Sequence, residues 1–275
     1  MALLLGTNIT TRVDDLICGR IARVGGSVNQ LLVYGKSTIK QVVDFNLLDD
    51  FFGARSVRSA RDIGLYYKFL KTYVRQELGW LLKGYAVPRD RKTLILDVHK
   101  AYMHNEMRAA YDSVISSNLI EHSPNPIFLL LNLHYLVRKD GYHFHAIPHY
   151  KYTYDCHRKP TPLAHFIEDF ENRIDESDKT HNEDYCQSAI DKHGSMRKFH
   201  EKYPVAPPYI HFHVFDEFNT RELIEFMFQD VTNDVLKTEK YSDNVVLFSN
   251  KLNVDFVARY QPLIDEYSPA FLEER

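Results

Sequence analysis

The chain has 275 residues, of which 44% are hydrophobic and 26% charged, and its formal net charge at pH 7 is −3. This composition predicts a globular protein with a sizeable core and excludes wholesale disorder. The near-neutral charge argues against a protein that binds polyanions over its whole surface. No apolar run approaches the roughly 18 residues that a membrane span needs. The apolar start Met1–Leu5 lacks the basic flank of a secretory signal.

Most of the first 120 residues have the spacing of amphipathic helices. Apolar residues recur on one helical face, and Ser, Thr and Gly stand where helices usually begin or end. The predicted helices are Thr11–Val24, Ser37–Leu47, Ser56–Lys83 and Val98–Ile115. A short strand is predicted at Thr93–Val98.

The rest of the chain alternates helix starts with aromatic segments. Asn125-Pro126 begins a nearly apolar helix at Ile127–Val137, which we expect at the centre of the core. Further helix starts precede Leu163–Ile174 and lie at Thr180–Glu183 and Asn219–Glu222. Strands are predicted in the proline-flanked segments Tyr142–Tyr154 and Pro207–Phe218, and a surface region at Glu168–Asp184.

These elements predict the fold class. We expect a predominantly α-helical protein with minor short β-strands. It should form a single compact domain over residues 1–275, with a soft division near residues 141–160. The termini, Met1–Thr11 and Ser268–Arg275, are expected to extend onto neighbouring molecules.

Two His-Phe-His triplets are the candidate metal ligands. His143 with His145, and His211 with His213, would each present two imidazoles on one face of a strand, which suits a divalent metal. The triplets resemble the motif of rolling-circle replication endonucleases, for which Tyr241 or Tyr260 would be the nucleophile. No lysine follows either tyrosine at the spacing of that family. The alternatives are a metal-dependent nuclease or phosphoesterase, and aromatic packing strands whose histidines bond locally. His149, His157 and His165, with Cys156 beside them, could extend the metal set.

Other motifs are incomplete. Gly35-Lys-Ser-Thr38 resembles the end of a phosphate-binding loop, but Gln30 stands where its first glycine belongs. Asp97-Val-His99 resembles a phosphatase loop, but His99 replaces the second carboxylate. We therefore expect no cofactor and no enzymatic activity.

Three cysteines, Cys18, Cys156 and Cys186, form an odd set without metal-site spacing. Cys156 and Cys186 could pair within the chain while Cys18 bridges molecules, or all three could be reduced thiols.

The 18 tyrosines and 17 phenylalanines suggest association surfaces. The residues proposed as assembly contacts stand in or beside predicted loops and helix ends: Tyr142, Tyr150, Tyr152, Tyr154, Tyr209, Tyr267 and Phe271.

In size and aromatic character the chain resembles the viral occlusion-body matrix proteins, the polyhedrins, of the nudivirus type. The resemblance implies a self-assembling structural protein whose partners are its own copies and the virions it encloses, with no nucleic acid and no membrane. It implies a location in the infected cell, in the nucleus, and later outside the host. The matrix would dissolve in alkali, since ionised tyrosines would bring the net charge to about −30 near pH 11.

Overall fold

A computed structural model describes residues 19–25, 39–46, 90–95, 97–198, 210–237 and 242–272. Within this part of the chain, seven strands form one sheet. They are β1 (Gly19–Gly25), β2 (Ile39–Asn46), β3 (Asp90–Ile95), β4 (Tyr111–Ser117), β5 (Val137–Pro148), β6 (Thr232–Lys237) and β7 (Ser242–Ser249). The longer described helices are α1 (Pro126–Leu136), α2 (Leu163–Glu171), α3 (Thr180–His193), α4 (Glu217–Met227) and α5 (Val254–Tyr267).

The strand order across the sheet is β3-β2-β1-β4-β5-β7-β6. The first five strands of the chain run parallel, whereas β7 is antiparallel to both β5 and β6. The sheet grows from β1 through β2 to β3, and the chain then returns to add β4 on the other side of β1. This reversal creates a topological switch point between β1 and β4.

The predominantly α-helical prediction is wrong, because stretches expected to be helices lie in the sheet. β2 falls within the predicted helix Ser37–Leu47, β1 overlaps the predicted helix that ends at Val24, and β4 overlaps the end of Val98–Ile115. Central parallel strands are buried on both faces, so they read as continuous apolar runs. In β1, Ile21, Ala22 and Val24 are buried together with Arg23, which interrupts the apolar run. Such a short run does not distinguish a strand from a helix by periodicity.

The predicted core helix is confirmed. The Asn125 side chain accepts a hydrogen bond from the backbone N–H of Phe128, and Pro126 occupies the first turn of α1. Nine residues of α1 are buried. It packs against α2, against the turn at Val98–Met103 and against the turn at Pro269–Phe271. The helix lies at the centre of the hydrophobic core because it has no polar face to turn to solvent.

Other predictions in the second half hold in part. α2 begins at Leu163 and α3 at Thr180, as predicted, and β5 covers the first half of Tyr142–Tyr154. Pro207–Phe218 is not a strand where the structure describes it: residues 210–216 lack regular structure, and α4 then begins. The cap of α4 is Asp216 with Asn219, not the predicted Asn219–Glu222 pattern. The predicted strand at Thr93–Val98 is β3, which both begins and ends earlier.

Two of the predicted assembly contacts, Tyr267 and Phe271, pack against other parts of the same chain. Phe271 is 1% exposed and packs on Tyr102, Phe128 and Tyr135. The Tyr267 hydroxyl donates a hydrogen bond to the Phe170 carbonyl at 3.0 Å. Part of the C-terminal segment therefore packs on its own core, contrary to the prediction of a terminus that reaches a neighbour.

The remaining predicted contacts vary in exposure. Tyr152 is half exposed, Tyr142, Tyr150 and Tyr154 are partly buried, and Tyr209 lies outside the described residues. Met1–Thr11 also lies outside them. Self-association and the single-domain division over residues 1–275 stay predictions.

The two cysteines in the described part of the chain, Cys156 and Cys186, are free thiols, so the disulfide between them does not form. Cys18 lies outside the described residues. Among the described helices, none combines the length and apolarity needed to cross a membrane.

Candidate active site

The carboxyl ends of the parallel strands form the edge of the sheet at which ligands bind in folds of this kind. At the switch point, Gly25 at the end of β1 pairs with Ser117 at the end of β4. The next residue, Asn118, has a φ of 52° and donates its backbone N–H to the Ala146 carbonyl of β5 at 3.1 Å. This left-handed residue turns the chain away from the sheet into the short helix Ile120–His122. Glu121 is therefore placed just beyond the end of β4.

The Glu121 carboxylate is buried, and its oxygens lack hydrogen-bond partners among the described residues. It is 1% exposed, and neither carboxylate oxygen has a hydrogen-bond partner in the described part of the chain. His122 Nε2 lies 3.7 Å from Oε1. Burial raises the pKa of Glu121 to about 7, with His211 opposing the shift and the Asp155 and Asp243 carboxylates adding to it. Because an unpaired buried carboxylate is costly, such a group is a candidate for ligand binding.

A buried ion-pair network lies beside Glu121. His211 Nδ1 hydrogen-bonds Asp155 Oδ2, and Arg158 donates to Asp155 Oδ1 at 3.0 Å and to the His211 carbonyl at 2.7 Å. Although burial acts to raise it, hydrogen bonds and charges from His211 and Arg158 hold the pKa of Asp155 below its usual value. Asp155 thus has its partners, in contrast to Glu121.

His122 joins the network through its ring. It contacts the His211 ring edge-on at 4.7 Å, and its Nδ1 lies 2.9 Å from the Ile210 carbonyl. Burial, followed by the charge of His211, lowers the pKa of His122 to about 4, so this imidazole is neutral at physiological pH. A neutral imidazole does not neutralise the Glu121 carboxylate.

A second carboxylate follows β3. Asp97 caps the turn at Val98–Met103 by accepting from the His99 backbone N–H at 3.0 Å, and His99 Nδ1 lies 3.2 Å from the same oxygen. The side-chain hydrogen bond with His99 is the main reason that the pKa of Asp97 falls to about 2. His99 Nε2 is 3.0 Å from Ser123 Oγ, which joins the segment after β3 to the segment after β4. The Asp97 side chain is 25% exposed and is accessible to a ligand.

The predicted four-histidine centre does not form. His143 and His145 lie on β5 inside the sheet, fully buried. His145 Nδ1 bonds Ser116 Oγ at 2.7 Å, and His143 Nε2 bonds Asn250 Oδ1 at 2.7 Å. Burial and the neighbouring His143 keep the pKa of His145 well below its usual value. These imidazoles are local hydrogen-bonding groups, as the packing alternative had it.

The second triplet splits between two clusters. His211 turns to Asp155, whereas His213 Nε2 lies 2.7 Å from Asp169 Oδ2 on α2. The expected strand geometry fails because residues 210–216 are irregular and their side chains do not share one face. His165 and His181 lie beside His213 and Asp169, so these four could hold a metal ion. Of the predicted ligands, only His213 and the additional candidate His165 belong to this cluster. His149 bonds Glu217 instead, and His157 is exposed.

Sequence reasoning missed Glu121 and Asp155 and assigned Asp97 to another chemistry. A usable signal existed for two of them: Asp97 and Glu121 each follow a strand at its carboxyl end. That signal requires β3 and β4 to be recognised as parallel strands, and β4 had been predicted as a helix.

No family model and no curated protein matches the chain. Solved structures similar to it include the CMeT domain of the citrinin polyketide synthase, at 10% identity and a TM-score of 0.40, covering 85% of this chain and 47% of that one. A structure concerned with conversion of a disulfide bond into a thioacetal group during echinomycin biosynthesis has 10% identity and a TM-score of 0.43, covering 94% and 86%. A SAM-dependent methyltransferase from Methanosarcina mazei has 10% identity and a TM-score of 0.39, covering 85% and 93%.

The chain thus spans about half the length of the first of these proteins. Structural similarity at these TM-scores does not assign a function to the chain. The polyhedrin resemblance is nevertheless wrong, because the described residues form a seven-stranded mixed sheet with a switch point and not a predominantly helical chain. The non-enzymatic matrix function is also wrong: the sheet has a ligand-binding topology, and the C-terminal segment expected to reach a neighbour packs on its own core. The metal-dependent nuclease is wrong because its four histidines do not converge.

Proposed function

We propose that this chain is an enzyme that binds S-adenosylmethionine at the carboxyl edge of its sheet and transfers the methyl group to an acceptor held near Glu121. One observation carries the proposal: the order β3-β2-β1-β4-β5-β7-β6, with β7 alone reversed, gives the sheet a topological switch point between β1 and β4. Open sheets of this kind bind nucleoside cofactors where the strand order reverses.

The charge at this edge favours a cationic nucleoside over a nucleotide phosphate. Among the described residues, Asp97 follows β3, Glu121 follows β4, and Asp243, the second residue of β7, lies opposite Pro148 at the end of β5. Arg158 is already committed to two carboxylates and two carbonyls. S-adenosylmethionine carries a sulfonium and an ammonium group, which carboxylates attract. A phosphate would need amide or cationic donors, and the sequence lacks a complete phosphate loop.

Asp97 and Glu121 would have different tasks. Asp97 is ionised and partly accessible, so its oxygens can accept hydrogen bonds from the ribose or base of the cofactor. Glu121 is a buried acceptor with both oxygens unpaired, and it would bind a donor group of the methyl acceptor and orient it. The cofactor, when bound, supplies an electrophilic methyl carbon.

The cofactor is tested by ligand-induced stabilisation of the whole chain. A ligand that binds the folded state alone raises stability by about 2.7 kcal/mol at a hundredfold excess over its Kd. We expect S-adenosylmethionine and S-adenosylhomocysteine to raise Tm in scanning fluorimetry and to give saturable heats in calorimetry, while ATP does neither. Absence of binding at millimolar concentration, or equal binding of ATP, would contradict the proposal.

The variant Asp97→Asn tests whether the cofactor binds at the carboxyl edge of the sheet. Asparagine is as good an N-cap as aspartate, so the turn at Val98–Met103 should keep its stability while the charge is lost. We expect the Kd for S-adenosylmethionine to rise about tenfold, which corresponds to about 1.4 kcal/mol. Asp140→Asn is the matched control, since Asp140 is exposed near the amino end of β5, at the opposite edge of the sheet. Equal effects of the two variants would remove Asp97 from the site.

A further inference from the structure

Four side chains from three segments converge on one point away from Glu121. His165 and Asp169 lie on α2, His181 lies on α3, and His213 lies in the irregular segment before α4. One potential ligand atom from each residue lies within 4.8 Å of all the others. The Asp169, His181 and His213 side chains are buried, and the His165 side chain is 40% exposed.

Four of the six distances between these atoms lie near the separation expected in a tetrahedral ligand set. Asp169 Oδ2 lies 2.7 Å from His213 Nε2, 3.5 Å from His181 Nε2 and 3.7 Å from His165 Nε2. The two facing nitrogens, His165 Nε2 and His181 Nε2, are 3.1 Å apart. Ligands about 2.0–2.1 Å from a tetrahedral zinc ion are separated by about 3.3 Å, near the middle of this range.

The outer nitrogens of two rings are held by hydrogen-bond acceptors, which leaves the inner nitrogens as the potential ligand atoms. His213 Nδ1 lies 3.0 Å from the Ser123 carbonyl, which only accepts, so Nδ1 carries the hydrogen. His181 Nδ1 lies 2.7 Å from Asp178 Oδ2 and donates in the same way. The inner nitrogen of each ring, Nε2, faces the Asp169 carboxylate. A cation, either a proton or a metal ion, must lie between these facing atoms, and a single metal ion could contact all four side chains.

We propose that His165, Asp169, His181 and His213 bind a divalent transition metal, with Zn²⁺ preferred. Three neutral imidazoles and one carboxylate match the nitrogen and oxygen ligands of tetrahedral zinc, whereas Mg²⁺ and Ca²⁺ require oxygen ligands. The Ser123 carbonyl and Asp178 carboxylate orient two of the imidazoles, as outer-shell groups do in zinc sites.

The metal has a structural role, because four protein ligands leave no open coordination position. It joins α2, α3 and the segment before α4. Through the hydrogen bond from His213 to Ser123, it also connects them to the loop that follows β4. The site is therefore a clamp that holds the segments between β5 and α4 against the edge that carries Glu121.

The first test measures metal on the intact chain, purified without an affinity tag. We expect mass spectrometry to find one zinc ion per chain. Cobalt substitution should give the visible absorption bands of tetrahedral Co²⁺. Chelation should lower Tm and expose residues 149–216 to proteolysis, and Zn²⁺ but not Mg²⁺ should reverse both changes. A chain that takes up no Zn²⁺ or Co²⁺, and whose Tm does not respond to either ion, would overturn the proposal.

Variants then locate the ion. His181→Gln and Asp169→Asn should each lower zinc affinity at least tenfold and weaken the cobalt bands. His157→Ala is the matched control, since His157 is an exposed histidine between β5 and α2 outside the cluster. If a ligand variant fails to fold, the cobalt spectrum of the unmodified chain decides, because tetrahedral bands with nitrogen ligands support the site and octahedral bands contradict it. Equal loss of metal in His157→Ala would place the ion elsewhere.

Discussion

Glu121 combines full burial with two unpaired carboxylate oxygens, so it weakens the fold it belongs to. A neutral amide costs less to bury than a carboxylate. We expect Glu121→Gln to raise the free energy of unfolding by about 1–2 kcal/mol at pH 8, as measured by urea denaturation. The same variant should reduce methyl transfer at least a hundredfold, because the amide is a poorer acceptor for the donor group of the substrate.

A gain in stability together with a loss of methyl transfer is expected if Glu121 binds the substrate. If Glu121 only packs in the core, its variant should not lower methyl transfer while raising stability. Glu222→Gln, on the exposed side of α4, is the control and should change neither quantity appreciably. If Glu121→Gln destabilised the chain and left ligand binding unaltered, Glu121 would be a structural residue whose partners lie outside the described part of the chain.

At the scale of secondary-structure elements, the packing of the segments between β5 and α4 depends on hydrogen bonds from Arg158. Its guanidinium donates to Asp155, to Asp184 on α3, and to the carbonyls of His211 and Phe212. Arg158→Met leaves the buried Asp155 without its ion pair, and breaking a buried pair costs about 3–5 kcal/mol. We expect that loss in urea denaturation, together with faster proteolysis in residues 149–216.

Arg221→Met provides the comparison for this prediction. Arg221 pairs with Glu225 at 2.7 Å on the exposed face of α4, and such a surface pair contributes less than about 0.5 kcal/mol. A similar small effect of Arg158→Met would mean that the network is maintained by the other contacts of Asp155.

The same elements show how far the sequence predicts the fold. α1 and α2 were predictable because Asn125-Pro126 and Thr161-Pro162 mark their starts and the apolar residues continue for several turns. β1 and β4 were not, since their central residues are buried on both faces of the sheet and therefore do not alternate between apolar and polar as a half-buried strand does. Without those strands, the reversal between β1 and β4 and the carboxyl edge that it defines could not be deduced.

For the molecule as a whole, the proposed metal site is formed by residues that lie far apart in the sequence. His213 was recognised as a candidate ligand, but its partners Asp169 and His181 come from helices whose packing no local pattern reports. Tyr267 and Phe271 were recognised as important aromatics, and in the fold both pack on Phe128 of the core helix α1. At these positions the residue type indicated that the side chain makes contacts. The sequence did not show which surface it contacts.

The pH dependence of global stability depends on the acidic edge of the sheet. Burial raises the pKa of Asp243 from its ordinary value of 3.8 to about 6. Because the folded chain holds this proton more tightly than the unfolded chain, Asp243 costs no stability below pH 3.8. The cost grows as pH rises to about 6 and then stays constant. A shift of this size corresponds to at most about 3 kcal/mol.

Asp243→Asn should therefore stabilise the chain by up to about 3 kcal/mol at pH 8 and leave it unchanged at pH 3, in urea denaturation followed across pH. Asp140→Asn is the control, since Asp140 is exposed on β5 and its variant should change stability by less than about 0.5 kcal/mol throughout. The variant should also ease ionisation of Glu121, whose pKa the Asp243 charge helps to raise. A stabilisation independent of pH would show that the amide gains a hydrogen bond rather than removing a buried charge.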